Sequence, residues 1–186
     1  TYNIHKGFSF TKSRFVLHQI REMLCHINAD IIFLQEIHGK HLKHQIEIMD
    51  WPEIPQFEFL AEKIWPHYAY GKNAIYKLGH HGNAILSKYP FSYWENIDVS
   101  IQKRASRSLL HGIITLPNSK EILHVICVHL GLLQFERDIQ LDVLCERIQN
   151  LIPKNEPLLI AGDFNDWRSL AKSHLETDLG LEEIFK

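Results

Sequence analysis

Leu158-Leu-Ile-Ala-Gly-Asp-Phe-Asn165 is an apolar run that ends in Gly162, Asp163 and Asn165. An unbroken apolar segment bounded by turn residues reads as a buried strand. Side chains alternate along a strand, so Asp163 and Asn165 are expected to point the same way. A hard-oxygen ligand beside a hydrogen-bond donor at the mouth of a sheet is the combination that Mg²⁺ and phosphate chemistry require. A strand ending in Asp and a turn is also common without catalysis, so the tetrapeptide alone decides nothing.

The remaining pattern alternates helices with strands. Tyr2 to Ile4 begins a short strand, and Ser13 is placed to cap a helix from Arg14 to Asn28. Asp30 to Gln35, with Ile-Ile-Phe-Leu at its centre, reads as a second buried strand that delivers Glu36. His38 to Met49 is expected to be helical, as is Phe57 to Ile64. Gly79-His-His-Gly82 reads as a loop before a strand at Asn83 to Leu86, and Ile97 to Ile101 alternates like a half-buried strand. Leu109 to Leu116 and Ile122 to Leu130 flank Pro117-Asn118-Ser119, a hairpin signal. Glu136 to Leu151 then reads as an amphipathic helix, with Ile139, Val143, Leu144, Ile148 and Leu151 on one face. Strands in succession around a hairpin, between helices, argue for an α+β fold with two packed sheets rather than a doubly wound parallel sheet.

Composition narrows the function classes. The 186 residues are 45% hydrophobic and 23% charged, which fits one domain spanning residues 1–186 with a sizeable core. A formal net charge of -2 gives no global basic field for nucleic acid, although Lys72, Lys77, Lys88, Lys103, Arg104 and Arg107 could line one face. Trp65, Tyr68, Tyr70, Tyr76, Trp94 and Trp167 could stack on bases, but core filling is their default role. Cys25, Cys127 and Cys145 are dispersed, without disulfide or zinc-finger spacing, and suit a reducing compartment. With no signal peptide and no run of membrane-spanning length, a cytoplasmic location and a monomer without an obligate protein partner are expected. The 13 histidines are scattered and contain no His-Glu-x-x-His pair, so a zinc hydrolase lacks its usual spacing.

Four strands bear polar groups that could meet in space: Asn3, Glu36, His129, and Asp163 with Asn165. Taken singly, Glu36 reads as a solvated strand end, His129 as a hydrogen-bonded structural histidine, and Asn3 as uninformative. Together they offer a carboxylate for an ion, a base for water and donors for phosphate oxygens.

The ordered motifs Tyr2-Asn-Ile-His5, Phe33-Leu-Gln-Glu36, Gly82-Asn-Ala-Ile-Leu-Ser87, Val128-His-Leu130 and Gly162-Asp-Phe-Asn165 resemble the endonuclease/exonuclease/phosphatase superfamily. That superfamily includes DNase I-like nucleases, abasic-site endonucleases, sphingomyelinases and inositol phosphatases. Asn3-Ile-His-Lys-Gly7, Tyr70-Gly-Lys-Asn73 and Asp163-Phe-Asn-Asp-Trp167 are similar to a smaller bacterial branch, the YbhP-like proteins.

The resemblance implies a four-layer α/β/β/α sandwich with its site at one edge of the paired sheets. It implies Mg²⁺, or Mn²⁺, on Glu36, with Asn3 at metal-bound water or phosphate and Asp163 near the metal, orienting or deprotonating the attacking water. Asn165, Arg107 and Asn83 are implied on the phosphate side, and His129 at the phosphate or leaving group. The substrate would be a phosphoester in a nucleic acid, a lipid or a small molecule. Family members continue to a terminal Ser-Asp-His that has no counterpart after Asn165, where His174 stands alone in Lys172-Ser-His-Leu175. The expectation is therefore a domain truncated at both ends and lacking its C-terminal part. A catalytically silent scaffold of the same fold and a His-rich metal-binding protein are the competing readings.

Overall fold

The computed structural model describes residues 1–101, 106–117, 119–166 and 170–184, with the side chains of 170–174 outside that description. Lys103, Arg104, Asn118, Trp167 and the His174 side chain thus lie outside the described residues.

Two four-stranded sheets form the centre. The first has the order β1-β2-β4-β3, from β1 (Tyr2–Asn3), β2 (Ile31–His41), β3 (His67–Tyr76) and β4 (Gly79–Ser87). The second has the order β5-β6-β7-β8, from β5 (Phe91–Asp98), β6 (Ser108–Thr115), β7 (Ile122–His129) and β8 (Leu158–Asp163). Helices α1 (Leu17–Ile27), α2 (Leu42–Glu47) and α3 (Gln56–Ala61) belong to the first half, and α4 (Gln134–Leu151) and α5 (Leu170–Leu179) to the second.

The strict alternation of strand side chains divides the apolar residues among three cores. Ile32 and Leu34 of β2 and Ala84 and Leu86 of β4 pack with Leu17, Ile20 and Leu24 of α1 and Leu60 of α3. Leu109, Ile126 and Val128 face Leu141, Leu144 and Ile148 of α4. The intervening residues Phe33, Ala69, Ile85, Leu110, Val125 and Cys127 meet between the sheets. Both faces of the central strands are therefore dry, which is why they read as continuous apolar runs rather than as alternating ones. The four-layer α+β sandwich expected from the sequence is the observed fold.

Several boundaries differ from expectation. β2 runs on to His41, so the helix expected from His38 is reduced to α2, and Gly79-His-His-Gly82 is the start of β4, not a loop. Pairing explains both: Lys40 registers with His80 and His41 with Gly79, a long antiparallel ribbon that local propensity does not reveal. Helix α1 begins at Leu17 with no side-chain cap, because Phe8 and Phe15 form a bridge that closes the residues between them, 9–14, into a turn. Ser13 instead joins a cluster of hydroxyls with Ser9 and Thr11. No helix among the described residues is long and apolar enough to cross a membrane.

Candidate active site

Parallel pairing sets the site. Asn3 of β1 registers beside Gln35 of β2, and His129 of β7 beside Asp163 of β8. The polar ends of both sheets thereby reach the same edge of the sandwich. The amide of Asn3 donates from Nδ2 to Oδ2 of Asp163 at 3.0 Å, a bond that joins one sheet to the other.

Glu36 reaches this edge through an irregularity. The β2–β4 register shifts between Leu34 and Ile37, and Glu36 adopts φ 54. A bulge of this kind re-aims one side chain out of the strand's alternation. His5, Lys6 and Asn165 also have positive φ, at 47, 62 and 49. A left-handed conformation costs a non-glycine residue about 1–3 kcal/mol, and such strain tends to collect where a fold must hold a particular geometry. Lys6 is held in its turn by Gln56, which donates to the Lys6 carbonyl at 2.9 Å and accepts from the His38 N–H at 2.9 Å. Its ammonium lies 3.6 Å from Oε2 of Glu36.

The expectation that Asp163 and Asn165 align by strand alternation is corrected. β8 ends at Asp163, and Asn165 lies beyond it in a left-handed turn. The Asn165 backbone N–H donates to Oδ1 of Asp163 at 3.1 Å, while its Nδ2 donates to the Leu130 carbonyl at 2.8 Å. Both carboxylate oxygens of Asp163 are thus oriented by amide donors. Gly162 is required here by close approach: a Cβ on it would lie 2.0 Å from the Val128 carbonyl oxygen.

Electrostatics divide the groups by role. Burial raises the Glu36 pKa, but Lys6, His129, His5 and the nearby Asn3 amide outweigh it and hold the carboxyl below its ordinary value. His129 is driven down to about 4 by burial and by Arg107, against the opposing pull of Asp163 and Glu36. It is a neutral imidazole at pH 7. Its Nε2 lies 3.8 Å from Oδ2 of Asp163, so the contact is neither an ion pair nor a direct hydrogen bond. Arg107 is lowered by burial, against Glu36, Asp163 and Glu136. Its Nε donates to the Leu130 carbonyl at 2.9 Å, the same oxygen that anchors Asn165.

Asn83 stands apart from the open edge. It is fully buried between the sheets, with Nδ2 3.2 Å from the Ser108 carbonyl and 3.3 Å from its hydroxyl. Ser108 donates onward to Oδ1 of Asn73 at 2.7 Å and registers beside His129. Asn83 therefore braces the wall behind His129 instead of lying open to a substrate. Lys6, Gln56 and His81 went unassigned by sequence reasoning. The loop expected at Gly79–Gly82 is strand, which carries His81 beside the charges of Lys6, Glu36 and Arg107 and the His129 ring, with burial lowering its pKa to about 4. The continuation of the Gly82-Asn83 strand signal backward through His81 was the one cue available.

Glu36 and Asp163 bring carboxylate oxygens to this edge, with Glu36 kept ionised and both partly open to solvent, while Asn3 turns its Nδ2 toward Asp163 and its Oδ1 to the His5 N–H. That chemistry fits a hard divalent cation that keeps several of its waters. A cavity of about 470 Å³ lined by Tyr2, Asn3, Gln35, Asp163, Asn165 and Asp166 opens at this edge.

Fold and site together are a two-sheet sandwich with helices on its outer faces, which brings carboxylates, amides and a buried histidine to one sheet edge. The model of the Endonuclease/Exonuclease/phosphatase family matches residues 1–183, and the chain belongs to that family. It is 46% identical over 185 residues to the uncharacterized protein YbhP of Escherichia coli K12, a match covering 100% of this chain and 73% of that protein. Among solved structures, an endonuclease/exonuclease/phosphatase from Beutenbergia cavernae superposes with TM-score 0.72 at 19% identity, over 95% of this chain and 52% of that one. This chain thus spans about half the length of that structure. A mannosyl-6-phosphatase from Bacteroides thetaiotaomicron superposes with TM-score 0.67 at 16% identity, over 95% of this chain and 68% of that one.

Proposed function

We propose that this domain hydrolyses a phosphoester, most readily a phosphodiester, by in-line attack of a water molecule with Mg²⁺, or Mn²⁺, at Glu36 and Asn3. The observation that carries the reading is the convergence of ionised Glu36, doubly oriented Asp163 and neutral His129 across the sheet-to-sheet bond from Asn3 to Asp163. The divalent ion would supply Lewis-acid neutralisation of the phosphate charge.

The protein's own groups supply the rest. Asp163, with each oxygen fixed by an N–H donor, orients the water and accepts its proton. Asn165 has a second Nδ2 proton beyond the one given to Leu130, and directs it at a phosphoryl oxygen. Arg107, anchored through Nε, and Lys6 offset the charge that builds on the phosphate. His129 contacts the phosphate or the leaving group from its neutral state. The half-buried edge makes each contact worth more than it would be in water. In this reading the protein works as a monomer in the cytoplasm, where its three free cysteines stay reduced.

The substrate class follows from one comparison. Mg²⁺-dependent release is measured in parallel from plasmid DNA, phospholipid headgroups and small phosphomonoesters, using the full-length protein. Cleavage of one class, lost on chelation and on Asp163→Ala, supports the proposal. Metal-dependent turnover that persists in the folded Asp163→Ala variant sinks the role given to Asp163. A complete lack of turnover on all classes favours a silent scaffold of the same fold.

A further inference from the structure

His38 follows the Phe33-Leu-Gln-Glu36 motif by two residues, and β2 and α2 bring it into one group with His41 and His44, which no motif includes. A ligand-capable atom from each lies within 4.8 Å of the others, the one such triad of His, Cys, Asp or Glu among the described residues. We propose that this triad is a second metal site, distinct from the Glu36–Asp163 edge, that takes a borderline cation of the Zn²⁺ class through three imidazole nitrogens.

Two buried atoms make the case. Nε2 of His38 and Nδ1 of His44 are shielded from solvent and have no hydrogen-bond partner. His38 is only 2% exposed. An unpaired buried polar nitrogen is costly, and native structures keep few of them without a bound ion or water. The supporting bonds are already present. Tyr76 Oη lies 3.1 Å from Nδ1 of His38, which fixes the ring and leaves Nε2 as the free end. A hydrogen bond to the far nitrogen is the usual way a metal-binding histidine is oriented.

The rings of His41 and His44 stack with centroids 3.5 Å apart, and Trp51 walls the group at 4.9 Å from His44 and 5.5 Å from His38. Phe8 closes the far side at 5.4 Å from His44. Ligation asks the His41 and His44 rings to swing out of their stack, since the in-plane lone pairs of parallel rings cannot converge on one ion. Nδ1 of His41 now accepts the His44 backbone N–H at 3.1 Å and would exchange that contact for the ion, with its proton on Nε2. Tetrahedral Zn²⁺ at about 2.0–2.1 Å from each nitrogen draws the three together and leaves a fourth position for water. Three imidazoles without a carboxylate select against Mg²⁺, which prefers oxygen. The two sites therefore divide their metals by ligand chemistry.

The test is a Zn²⁺ titration of the full-length protein against a chromophoric chelator, with Co²⁺ as a spectroscopic probe. One equivalent is expected to bind the wild type, and Co²⁺ to give the intense visible bands of a four-coordinate site. Glu36→Gln and Asp163→Asn retain that binding. His41→Ala and His44→Ala, at partly exposed positions that leave the core intact by circular dichroism, weaken it by about 100-fold or more. The assay uses no substrate, so its result is independent of the hydrolase reading. Absence of stoichiometric Zn²⁺ binding overturns the proposal, as does undiminished affinity in the folded histidine variants.

Discussion

Asp163→Asn is the most revealing single change because it preserves shape while reversing half of the hydrogen-bond polarity. In the native site Oδ2 accepts from Asn3 at 3.0 Å and Oδ1 accepts from the Asn165 N–H at 3.1 Å. An asparagine has one acceptor oxygen, so its NH₂ must face one of these two donors. The Asn3 amide cannot flip to compensate without cost, since its Oδ1 already accepts the His5 N–H at 3.0 Å. One partly buried hydrogen bond is therefore lost and two donors are opposed, which costs about 1–3 kcal/mol. For a chain of this size that lowers the melting temperature by about 2–12 °C. The kinetic consequence is larger, because a general base contributes about 10²–10⁴-fold. The assay pairs thermal unfolding with Mg²⁺-dependent hydrolysis of a chromogenic phosphodiester by the full-length protein. The expected result is a folded variant whose kcat falls by about two to four orders of magnitude with little change in KM. A destabilised variant that turns over within threefold of wild type would refute the base assignment.

Three further outcomes follow from the same geometry. Glu36→Gln is expected to raise the Mg²⁺ concentration for half-maximal rate by about 10-fold or more, and an unchanged Mg²⁺ dependence would remove Glu36 from the metal site. Gly162→Ala forces a Cβ to 2.0 Å from the Val128 oxygen, so overpacking of about 1–3 kcal/mol should appear as a lower denaturation midpoint, read by chemical unfolding; full stability would mean the β7–β8 pair yields more easily than its register implies.

Acid sensitivity is the last. His38 is pushed to about 3, and His81, His111 and His129 to about 4, chiefly by burial, so all four fold as neutral rings. The unfolded chain takes up these protons below pH 6.5 and the native state does not. Stability is therefore complete above 6.5 and lost as pH falls toward 4, at up to about 5 kcal/mol per unit. Glu36, held below 4.5, adds a loss in the same direction at lower pH. Chemical denaturation curves that coincide at pH 7 and pH 5 would contradict this.

Much of the architecture was legible because burial on both faces leaves an unmistakable apolar signature. Ile31 to Leu34 had to be a central strand, and Pro117 marked the hairpin between β6 and β7, whereas the apolar run Leu158 to Ala161, expected to be buried, forms the half-buried edge strand β8. Less legible were the segments whose state depends on a distant partner. Gly79 to Gly82 looks like a turn until β2 is laid beside it, and His38 looks helical for the same reason. The missing N-cap at Ser13 follows from the Phe8–Phe15 bridge, a contact no local propensity encodes.

The site divides along the same line. The chain's own order supplied the residue types Asn3, Glu36, His129, Asp163 and Asn165, with Glu36, His129 and Asp163 each following an apolar run. The tertiary structure decided which of them face one another and in what charge state. It bonded Asn3 to Asp163 across two sheets, turned Glu36 outward through a bulge, and replaced strand alternation with a left-handed turn at Asn165. It also buried Asn83, brought Lys6 to Glu36, and gathered three histidines that the sequence had left scattered. Periodicity is a property of a segment, so sequence reveals it. Proximity and desolvation belong to pairs of segments, and only the packed fold can set them.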